Sequence, residues 1–580
     1  MKNKKKLVSF FMVILLCTTL GASNSQKIFP LESPIYRHIA NLYILQGKAL
    51  PSTTGPYSQD ELQRMLGRLD QNALTTPAEL QLYEQVTNLL SEKPKQVGQF
   101  GYDVGMTVSL ETYAHTNKHD FTSESDWSYN FNDRKPFVNF TFQTWPTDHF
   151  YSYFEISAMN NFGYATGTGS TPNVQSNPQY GESILTTNIP MVPPNVLHNI
   201  DLNFPYRAFA SAGGNNWNLQ IGRDKISWGA GKSGNLSVSN NMPFQQVGRF
   251  TTYFDSFKYT LLSSFFTHPQ ILDPTFIASN VGVNHQDILG DGIKMFLAHR
   301  VELRFLKDKA GFTLTESMMY QSSTGSIDIR FLNPVGFYHN QYIRGNSNSM
   351  LVLEGDYTPL SGWNIYGQLG IDEIAFGEDV PPATHAKPSA FAYLLGIQNK
   401  MGIGKGIFGV ALEGVYTDPF FYLREEYNAT SHQFGVGFDG IIRVLANGMA
   451  NLRYVQGYPY GGDAIVGNLL VDYEVPSSWK ASLNTMFMAH GVLGITSLWE
   501  LYDGTNQAVP STPSTENPFD FSEAGPVEYS LLFNLVGEVN LTPKLALTSH
   551  LSLPFIWNKG NVAKAMVSDY QLSFGVHYSI

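Results

Sequence analysis

The chain has 580 residues with 37 basic and 48 acidic side chains, 13% aromatic residues, 51 glycines and one cysteine, Cys17. An acidic chain of this kind is a poor partner for nucleic acid, which binds to basic surfaces. A single cysteine allows no intramolecular disulfide, and a thiolate metal site is excluded once Cys17 is removed with the segment that contains it.

Residues 1–23 are predicted to be a signal peptide. "MKNKKK" is a cationic start, "LVSFFMVILLCTTL" is an apolar stretch, and "GAS" supplies small residues for cleavage. The apolar stretch is short for a membrane-spanning helix, and "ILLC" is a poor lipidation motif, so lipidation at Cys17 stays open. Cleavage removes four lysines and leaves 33 basic against 48 acidic residues, a net charge of 33 − 48 = −15. The mature protein is therefore expected to be exported and acidic.

Three short helices are predicted within residues 24–97. Each begins with a Ser or Thr that can cap the first turn, and two have proline at the first helical position. A Glu three residues after the cap predicts a capping box in the second and third helices. These signals are Ser33, Pro34 and Gly47 for the first helix, Ser58 and Glu61 for the second, and Thr76, Pro77 and Glu79 for the third.

Each predicted helix has one apolar face and is too short to be stable alone. The three helices should therefore pack together or against the following domain as a small scaffold. The faces are Ile35, Ile39 and Leu42, then Leu62, Met65 and Leu69, then Leu80, Tyr83 and Val86 or Leu90.

From about Gln99 the apolar period changes from 3.6 to two, which is typical of β-strands. In the last stretch, "YQLSFGVHYSI", six apolar residues alternate with small or polar ones up to Ile580. The same alternation appears around 138–143, 363–372 and 479–487. The segment 531–553 is predicted to form two strands joined by a turn at Thr542, Pro543 and Lys544.

The predicted strands have charged polar faces and long apolar faces. Arg300, Glu302 and Arg304 lie on one side of "MFLAHRVELRF", and His299, on the apolar side, is interpreted as structural or interfacial. Apolar faces of about 10 residues match a tilted strand that crosses a bilayer. Strands in lipid must pair all their backbone groups, so they close into a ring. Residues 98–580 are thus predicted to form a transmembrane antiparallel β-barrel of about 18 strands, with the last strand closing against the first; a secreted β-solenoid or sandwich is the alternative.

Several connections are long and rich in Gly, Ser, Thr, Pro and Asn, notably 163–183 and 505–526. Residues 224–292 are mixed in character and are expected to fold partly into or over the barrel. In such barrels long loops face the outside of the cell and short turns face the periplasm. The helical bundle would then be periplasmic, either plugging the pore or meeting periplasmic export machinery.

The most distinctive segment is "LQIGRDKISWGAGKSGNLSVSNNMPFQQV", residues 219–247. Strand parity sends Asp224 inward and Arg223 outward, and an arginine is costly in lipid. Arg223 therefore lies at the rim, or a bulge at Gly222 turns it inward. Trp228, among three glycines, is either a stacking platform for a sugar or part of an interfacial aromatic girdle.

This segment resembles the signature of the capsule-assembly Wzi family of outer-membrane proteins. A second stretch, residues 330–374, resembles it in its Arg, its Asn-Pro, its Asn-rich turn and its final Asp-Glu, and residues 30–47 resemble the family's helical front end. The resemblance implies a monomeric barrel of about 18 strands with a periplasmic bundle. It also implies binding of capsular or other exported polysaccharide at the cell surface, without known catalysis.

Seven residues from these stretches are candidates for contact with a glycan, the alternative being a luminal hydrogen-bond network that stiffens the barrel. No lipase-like, metalloprotease or nucleotide-binding motif stands out, so we predict no catalytic residue, no metal site and no cofactor. The seven candidates are Arg223, Asp224, Trp228, Arg330, Asn333, Asp372 and Glu373.

Three functions fit these features. The first is a non-enzymatic surface protein that binds and organises exported polysaccharide, with outer-membrane lipid as its surroundings. An acidic polymer would be repelled unless local Arg and Lys offset the negative charge of the chain. The second is a channel for small solutes, and the third is an adhesin that binds a host protein through its long loops.

Overall fold

The computed structural model describes most of the chain from residue 25 onward. The described ranges are 25–117, 119–121, 127–129, 133–160, 185–189, 200–203, 207–268, 292–322, 324–327, 330, 333–339, 346–374, 389–423, 436–445, 449–493 and 526–580. The predicted signal peptide and the loop stretches 163–183 and 505–525 lie outside them.

Three α-helices lie near the start of the described chain: α1 (Pro34–Leu45), α2 (Gln59–Gly67) and α3 (Pro77–Ser91). None of the helices in these ranges is long and apolar enough to cross a membrane. The predicted capping box of α3 forms between Thr76 and Glu79. In α2 the Ser58 hydroxyl accepts the Glu61 N–H at 3.3 Å, but the Glu61 carboxylate binds Lys258 instead of returning to the cap. That half of the predicted box is wrong, because a buried ammonium is the stronger partner.

The helices share one apolar core, in which the predicted faces of α1 and α2 are buried. The predicted face of α3 is partly wrong. Leu80 is exposed, and the buried positions repeat every four residues along the helix instead. They are Ala78, Leu82, Val86 and Leu90.

Eighteen antiparallel strands of the described chain form a closed barrel, which confirms the predicted fold. Shorter strands lie outside this ring, among them Thr54–Gly55, Ser227–Trp228, Asp439–Leu445 and Met449–Val455. The barrel strands are β1 (Phe100–His115), β2 (Val138–Thr147), β3 (Phe150–Asn160), β4 (Ala208–Gly214), β5 (Trp217–Asp224), β6 (Gln245–Tyr253), β7 (Phe257–Thr267), β8 (Ile293–Phe305), β9 (Ala310–Ser322), β10 (Ser347–Leu360), β11 (Trp363–Glu373), β12 (Ala390–Ile403), β13 (Gly406–Thr417), β14 (Ala464–Val475), β15 (Trp479–His490), β16 (Glu528–Thr542), β17 (Leu545–Trp557) and β18 (Gln571–Ser579).

The barrel is sealed where β18 pairs with β1, from Gln571 opposite His115 to Ser579 opposite Thr107. The last residue adds a further bond, because the Ile580 N–H donates to the Met106 carbonyl at 2.9 Å. This seam confirms that the final strand closes against the first. It also accounts for the alternation that runs to the end of the chain.

The two ends of the barrel differ in their connections. Eight connections at one end are two to four residues long, including the predicted turn before Leu545, and we call this the short-turn end. The connections at the other end are all at least 13 residues long, and we call it the long-loop end. The helices lie at the short-turn end, where Gly47 on the loop after α1 approaches Ser361 and Thr76 approaches Gly402.

Side chains alternate between the outside and the lumen, as the period of two predicts. Outward residues of β18, such as Leu572 and Phe574, are exposed, whereas Gln571 and Ser573 point inward and are buried. An apolar exterior around a polar interior is what a bilayer requires of a spanning barrel.

Candidate functional site in the lumen and at the long-loop end

A network of buried charges occupies the lumen. Arg300 on β8 donates to both carboxylate oxygens of Glu354 on β10, at 2.5 and 2.9 Å, and to the Thr315 hydroxyl at 2.9 Å. Glu302 lies 3.4 Å from Arg300 and 3.6 Å from Arg304. The predicted inward face of β8 is therefore confirmed. Because a buried charge is stable only when paired, these residues hold the wall together.

The segment between α1 and α2 enters the lumen and binds this network. The Thr53 hydroxyl accepts a hydrogen bond from Arg300 at 2.5 Å. The Leu50 N–H donates to Asp356 at 2.7 Å, and the Leu50 carbonyl accepts from Arg304 at 2.6 Å. The front of the chain thus plugs part of the barrel from the short-turn end. Plugging of the pore was one of the two alternatives that the sequence left open for the helical front end, but no pattern indicated that the loop between α1 and α2 would enter.

Trp228 lies deep in the lumen. Residues 227–228 pair with Thr54–Gly55 of the inserted segment, and the Trp228 N–H donates to the Val238 carbonyl at 2.9 Å. The Trp228 ring is fully buried, and the Arg300 guanidinium lies 5.8 Å from its centre. This position differs from the glycan platform and from the interfacial girdle, because a buried ring offers no face to a surface glycan and lies inside the barrel. Of the sequence interpretations, the luminal network is the one that places Trp228 in the lumen.

Asp224 faces the lumen, as its parity predicts. Its carboxylate accepts two hydrogen bonds from Arg207, at 2.6 and 3.2 Å, and one from Gln220 at 2.6 Å. The next residue, Lys225, pairs with Glu32 ahead of α1 at 2.8 Å. Burial raises the pKa of Glu32, but the Lys225 ammonium outweighs it and lowers the pKa to about 2. The Arg207–Asp224 pair thus links two neighbouring strands of the wall, and the adjacent Lys225–Glu32 pair joins the front segment to the end of β5.

Glu413 on β13 is enclosed by the glycine-rich part of the 225–244 connection. Its carboxylate accepts the N–H groups of Lys232 and Ser233 at 2.7 and 2.8 Å, the Ser233 hydroxyl at 2.5 Å and the Tyr366 hydroxyl at 2.9 Å. Loss of hydration and the nearby Lys400 lower the pKa of Lys232 to about 8. Of the stretch 224–292, predicted to fold partly into or over the barrel, residues 225–244 enter the lumen with Glu413 as their main anchor, whereas 245–253 and 257–267 are the wall strands β6 and β7.

A second luminal element comes from the connection between β13 and β14. Asp372, one of the predicted candidates, accepts the Tyr422 N–H at 2.7 Å. The paired strands Asp439–Leu445 and Met449–Val455 are bound to the wall by Asp439, which pairs with Lys294 at 2.6 Å. Both connections share a large interior apolar core near the long-loop end, which includes Ile226, Trp228, Leu236, Val238, Phe244, Phe296, Met350, Phe421, Tyr422, Phe438 and Tyr458.

The remaining wall has an accessible inner face, which we call the luminal strip. It comprises inward residues of β14–β18, β1 and β2 near the short-turn end. The Lys480–Glu538 pair belongs to it, with 2.8 Å between the charged atoms and side chains 35% and 31% exposed. Since these side chains face inward, water reaches them inside the barrel. Other members of the strip are Asp103, Thr107, Thr141, Asp472, Ser482, Asn484, Asn534, Thr548 and His577.

Four predicted candidates lie outside the lumen. Arg223 is the penultimate residue of β5 and faces outward at the rim, where its guanidinium lies 4.2 Å from the Phe244 ring centre. The register on both sides of Gly222 is unbroken, so the bulge alternative is wrong. Glu373 ends β11, and Arg330 and Asn333 are exposed in the connection after β9. Three of the seven candidates, Asp224, Trp228 and Asp372, lie in the lumen, each with its own partners.

An ordered polar surface lies at the long-loop end beside the seam. We call it the polar platform and define it as residues 116–117, 119–121 and 558–565. Asp569 accepts the Thr116 N–H and hydroxyl, both at 2.9 Å, and the Asn117 N–H at 2.8 Å. Lys559 crosses to the Asp120 carbonyl and so joins the two segments, while Lys564 is exposed. The platform presents fixed donors and acceptors together with positive charge.

The described residues include no group of three or more His, Cys, Asp or Glu that could hold a metal ion. A ring of 18 strands with an apolar outside, a charged inside and unequal ends has the architecture of an outer-membrane β-barrel. The strands of the wall alone define this class of fold, and the assignment does not depend on a ligand of the loops.

The chain is similar to the solved structure of Wzi from Escherichia coli, described as a carbohydrate-binding β-barrel involved in group 1 capsule assembly. The two share 13% identity over 95% of this chain and 98% of that one, with a TM-score of 0.54. The likeness shows a shared fold that includes nearly the whole of both proteins. No protein-family model matches the chain, and no curated protein matches it in sequence.

Two further structures are more distant. OprD from Pseudomonas aeruginosa has 10% identity over 83% of this chain and 95% of its own, with a TM-score of 0.34. OccAB4 from Acinetobacter baumannii has 7% identity over 82% and 98%, with a TM-score of 0.37. At these scores the comparisons carry no functional argument.

Proposed function

We propose that this protein is a non-enzymatic outer-membrane barrel that binds and helps to organise an exported polysaccharide at the cell surface. The observation that carries the proposal is the fold shared over 95% of the chain with a carbohydrate-binding barrel. In this proposal the long-loop end faces the outside of the cell and the helices lie in the periplasm, as in other barrels of this type.

The filled lumen supports a binding role over free passage of solutes. The inserted segment near Leu50–Gly55 binds Arg300, and the 225–244 connection binds Glu413. Removing the 225–244 connection would leave the Glu413 carboxylate without the N–H groups that it binds, and removing the inserted segment would leave Asp356 without the Leu50 N–H. A stiff, packed barrel instead provides a rigid base for the surface at its long-loop end.

The polar platform supports the binding role with suitable chemistry. A polysaccharide presents many hydroxyl groups, and protein sites for such ligands use donors and acceptors held in fixed positions. Asp569 fixes the backbone at Thr116 and Asn117, and Lys559 links the two segments. Lys559 and Lys564 stand beside the carboxylates of Asp120 and Glu528, so the platform offers both positive and negative groups to a polymer.

The test is binding of the detergent-folded barrel to the organism's own exported polymers. We expect the wild-type protein to retain them, and Lys559→Ala/Lys564→Ala to bind more weakly. The matched control is Lys307→Ala/Lys544→Ala, which removes the same charge at the short-turn end. Failure of the wild-type protein to bind any of these polymers, together with unchanged surface polysaccharide after gene deletion, would contradict the proposal.

A channel for small solutes is the second candidate, and the accessible luminal strip favours it. The strip holds charged and hydroxyl side chains that water reaches from inside the barrel. Planar-bilayer recordings separate the two functions. Steady conductance that changes with Glu538→Lys would favour the channel, and the binding proposal predicts no steady conductance.

A further inference from the structure

The outer wall is covered by protein at one place. Met295 and Leu297 on β8 and Met318 and Tyr320 on β9 point outward, yet they are only 0–4% exposed. Tyr338, from the connection between β9 and β10, packs against them. Many outward apolar residues on other strands are more than 40% exposed. The segment 333–339 therefore folds back along the outside of the barrel.

Under this segment the wall carries a polar pair. Strand parity places His299 and Glu316 outward, and His299 Nε2 lies 2.6 Å from Glu316 Oε2. Glu316 also accepts the His339 N–H at 3.0 Å, and the His299 and Tyr338 rings lie 4.9 Å apart. Both wall residues are six positions from the short-turn end of their strands (305 − 299 and 316 − 310). At about 3.3 Å per residue and a tilt of about 40°, that is about 15 Å, roughly halfway through the apolar belt.

Several backbone groups of the segment are paired within the protein, which lowers the cost of a non-helical stretch at this depth. The Val335 N–H donates to the Asn333 side-chain oxygen at 3.2 Å, and the Gly336 N–H donates to the Asn333 carbonyl at 3.4 Å. The Tyr259 hydroxyl on β7 donates to the Pro334 carbonyl. Charged and hydroxyl groups on the outer wall would be costly in lipid by themselves. Here they form hydrogen bonds with the backbone of the segment that covers them.

Between the exposed polar ends of the segment, Asn333 and His339, its outer side carries open apolar side chains. Val335 is 82% exposed and Phe337 is 65% exposed. The surrounding wall residues on β7, β8 and β9, namely Phe257, Leu303 and Phe312, are also exposed and apolar, so the segment continues the lipid-facing surface. We propose that residues 333–339 form a membrane-embedded segment whose Val335 and Phe337 side chains pack among lipid acyl chains, anchored to the wall by Glu316. This inference depends on the barrel and not on the polysaccharide.

The test measures the depth of single labelled sites. In a Cys17→Ser background, Val335→Cys is labelled with bimane, and the full protein is reconstituted into phosphatidylcholine vesicles. Brominated acyl chains should quench this label at least threefold more than aqueous iodide does. Leu303→Cys on the lipid-facing wall is the matched positive control, and Lys564→Cys on the polar platform is the aqueous control.

Two results would overturn the proposal. Iodide quenching of Val335→Cys equal to that of Lys564→Cys would place the segment in water. Shielding of the label from both quenchers, with energy transfer or cross-linking between copies, would mean that a second chain covers it.

The anchor is tested separately with Glu316→Ala and Glu316→Gln in the same labelled background. Loss of the acceptor in the alanine variant should release the segment and at least double iodide quenching, whereas glutamine, which keeps an acceptor, should restore protection. Unchanged quenching in a folded alanine variant would show that Glu316 does not anchor the segment. If the alanine variant does not fold, the glutamine variant alone decides whether the label stays in lipid.

Discussion

Arg300 and Glu354 form a bidentate ion pair across β9, with two hydrogen bonds of 2.5 and 2.9 Å in the buried lumen. The same guanidinium holds Thr53 of the inserted front segment at 2.5 Å. One arginine therefore joins two strands of the wall and the plug inside it.

Removing Glu354 should destabilise the barrel strongly. Glu354→Ala leaves the Arg300 guanidinium in the lumen without its main partner, and we expect a loss of about 3 kcal/mol. Glu538→Gln, which breaks the half-exposed Lys480–Glu538 pair, should cost less than about 1 kcal/mol. Unfolding of each variant in detergent by denaturant measures both values. Equal losses would contradict a special role for the buried pair.

The Lys258–Glu61 pair should hold the helices on the barrel. Lys258→Met leaves the Glu61 carboxylate buried and unpaired, so we expect faster proteolysis between α1 and β1 at an unchanged rate of cleavage elsewhere. Adding Glu61→Gln should restore part of the resistance, because the uncompensated charge is then removed. Arg64→Ala, which breaks a more exposed pair within α2, is the control and should have little effect. If the Lys258→Met and Arg64→Ala variants are cleaved at the same rate, the Lys258–Glu61 pair does not anchor the helices.

The stability of the folded protein should depend on pH through the carboxylate of Glu32. Its pKa is lowered to about 2 in the folded protein by Lys225, so the pair stabilises the folded state above the ordinary pKa of Glu near 4.5. That contribution is lost as the pH falls from about 4.5 to about 2. Glu32→Gln should therefore melt about 1–2 °C below the wild type at pH 6, and the difference should vanish near pH 2. Melting curves at several pH values test this, and a difference that persists at pH 2 would refute it.

Asp569 should control local order on the polar platform. Asp569→Ala removes the acceptor for the Thr116 and Asn117 N–H groups, and a lost buried acceptor costs about 1–3 kcal/mol. Hydrogen exchange at these two amides should accelerate by about tenfold or more, while the strand amides of β1 stay protected. Asp120→Asn, on the same surface, is the control. Unchanged exchange at residues 116 and 117 would show that Asp569 does not order the platform.

Trp228→Ala should lower stability without changing glycan binding. The ring fills the lumen core, so its removal should cost about 3–5 kcal/mol of unfolding free energy. The polar platform lies elsewhere, so the folded variant should bind polysaccharide as the wild type does. Weaker binding by a fully folded Trp228→Ala barrel would show that Trp228 does contribute to glycan binding.

The barrel could be predicted from the sequence because its governing pattern is local. Alternation within one strand, as in the last residues up to Ile580, reports which side meets lipid, and it needs no knowledge of the rest of the chain. The inward set of Arg300, Glu302 and Arg304 follows from the same parity. All three helix starts were also predictable, at Pro34, Gln59 and Pro77, because caps act over three or four residues.

The luminal contents could not be predicted, because their partners are distant in sequence. Glu61 is 197 residues from Lys258, and nothing near Glu61 indicates that its carboxylate leaves the helix cap. Trp228 among glycines suggested an accessible ring, but pairing of its strand with Thr54–Gly55 buries it. Arg330 and Asn333 were expected in or near a binding site, yet they lie in the connection that folds down the outer wall.

The seam between β1 and β18 has a consequence for how the protein is made. The residues that fill the lumen near Thr54 are synthesised early, whereas the strand that completes the wall around them ends at Ile580. Synthesis from the N-terminus therefore produces the segment that fills the lumen before it produces the strand that closes the wall. The inserted segment precedes all eighteen strands of the described wall, and the pairing of β18 with β1 closes the ring around it.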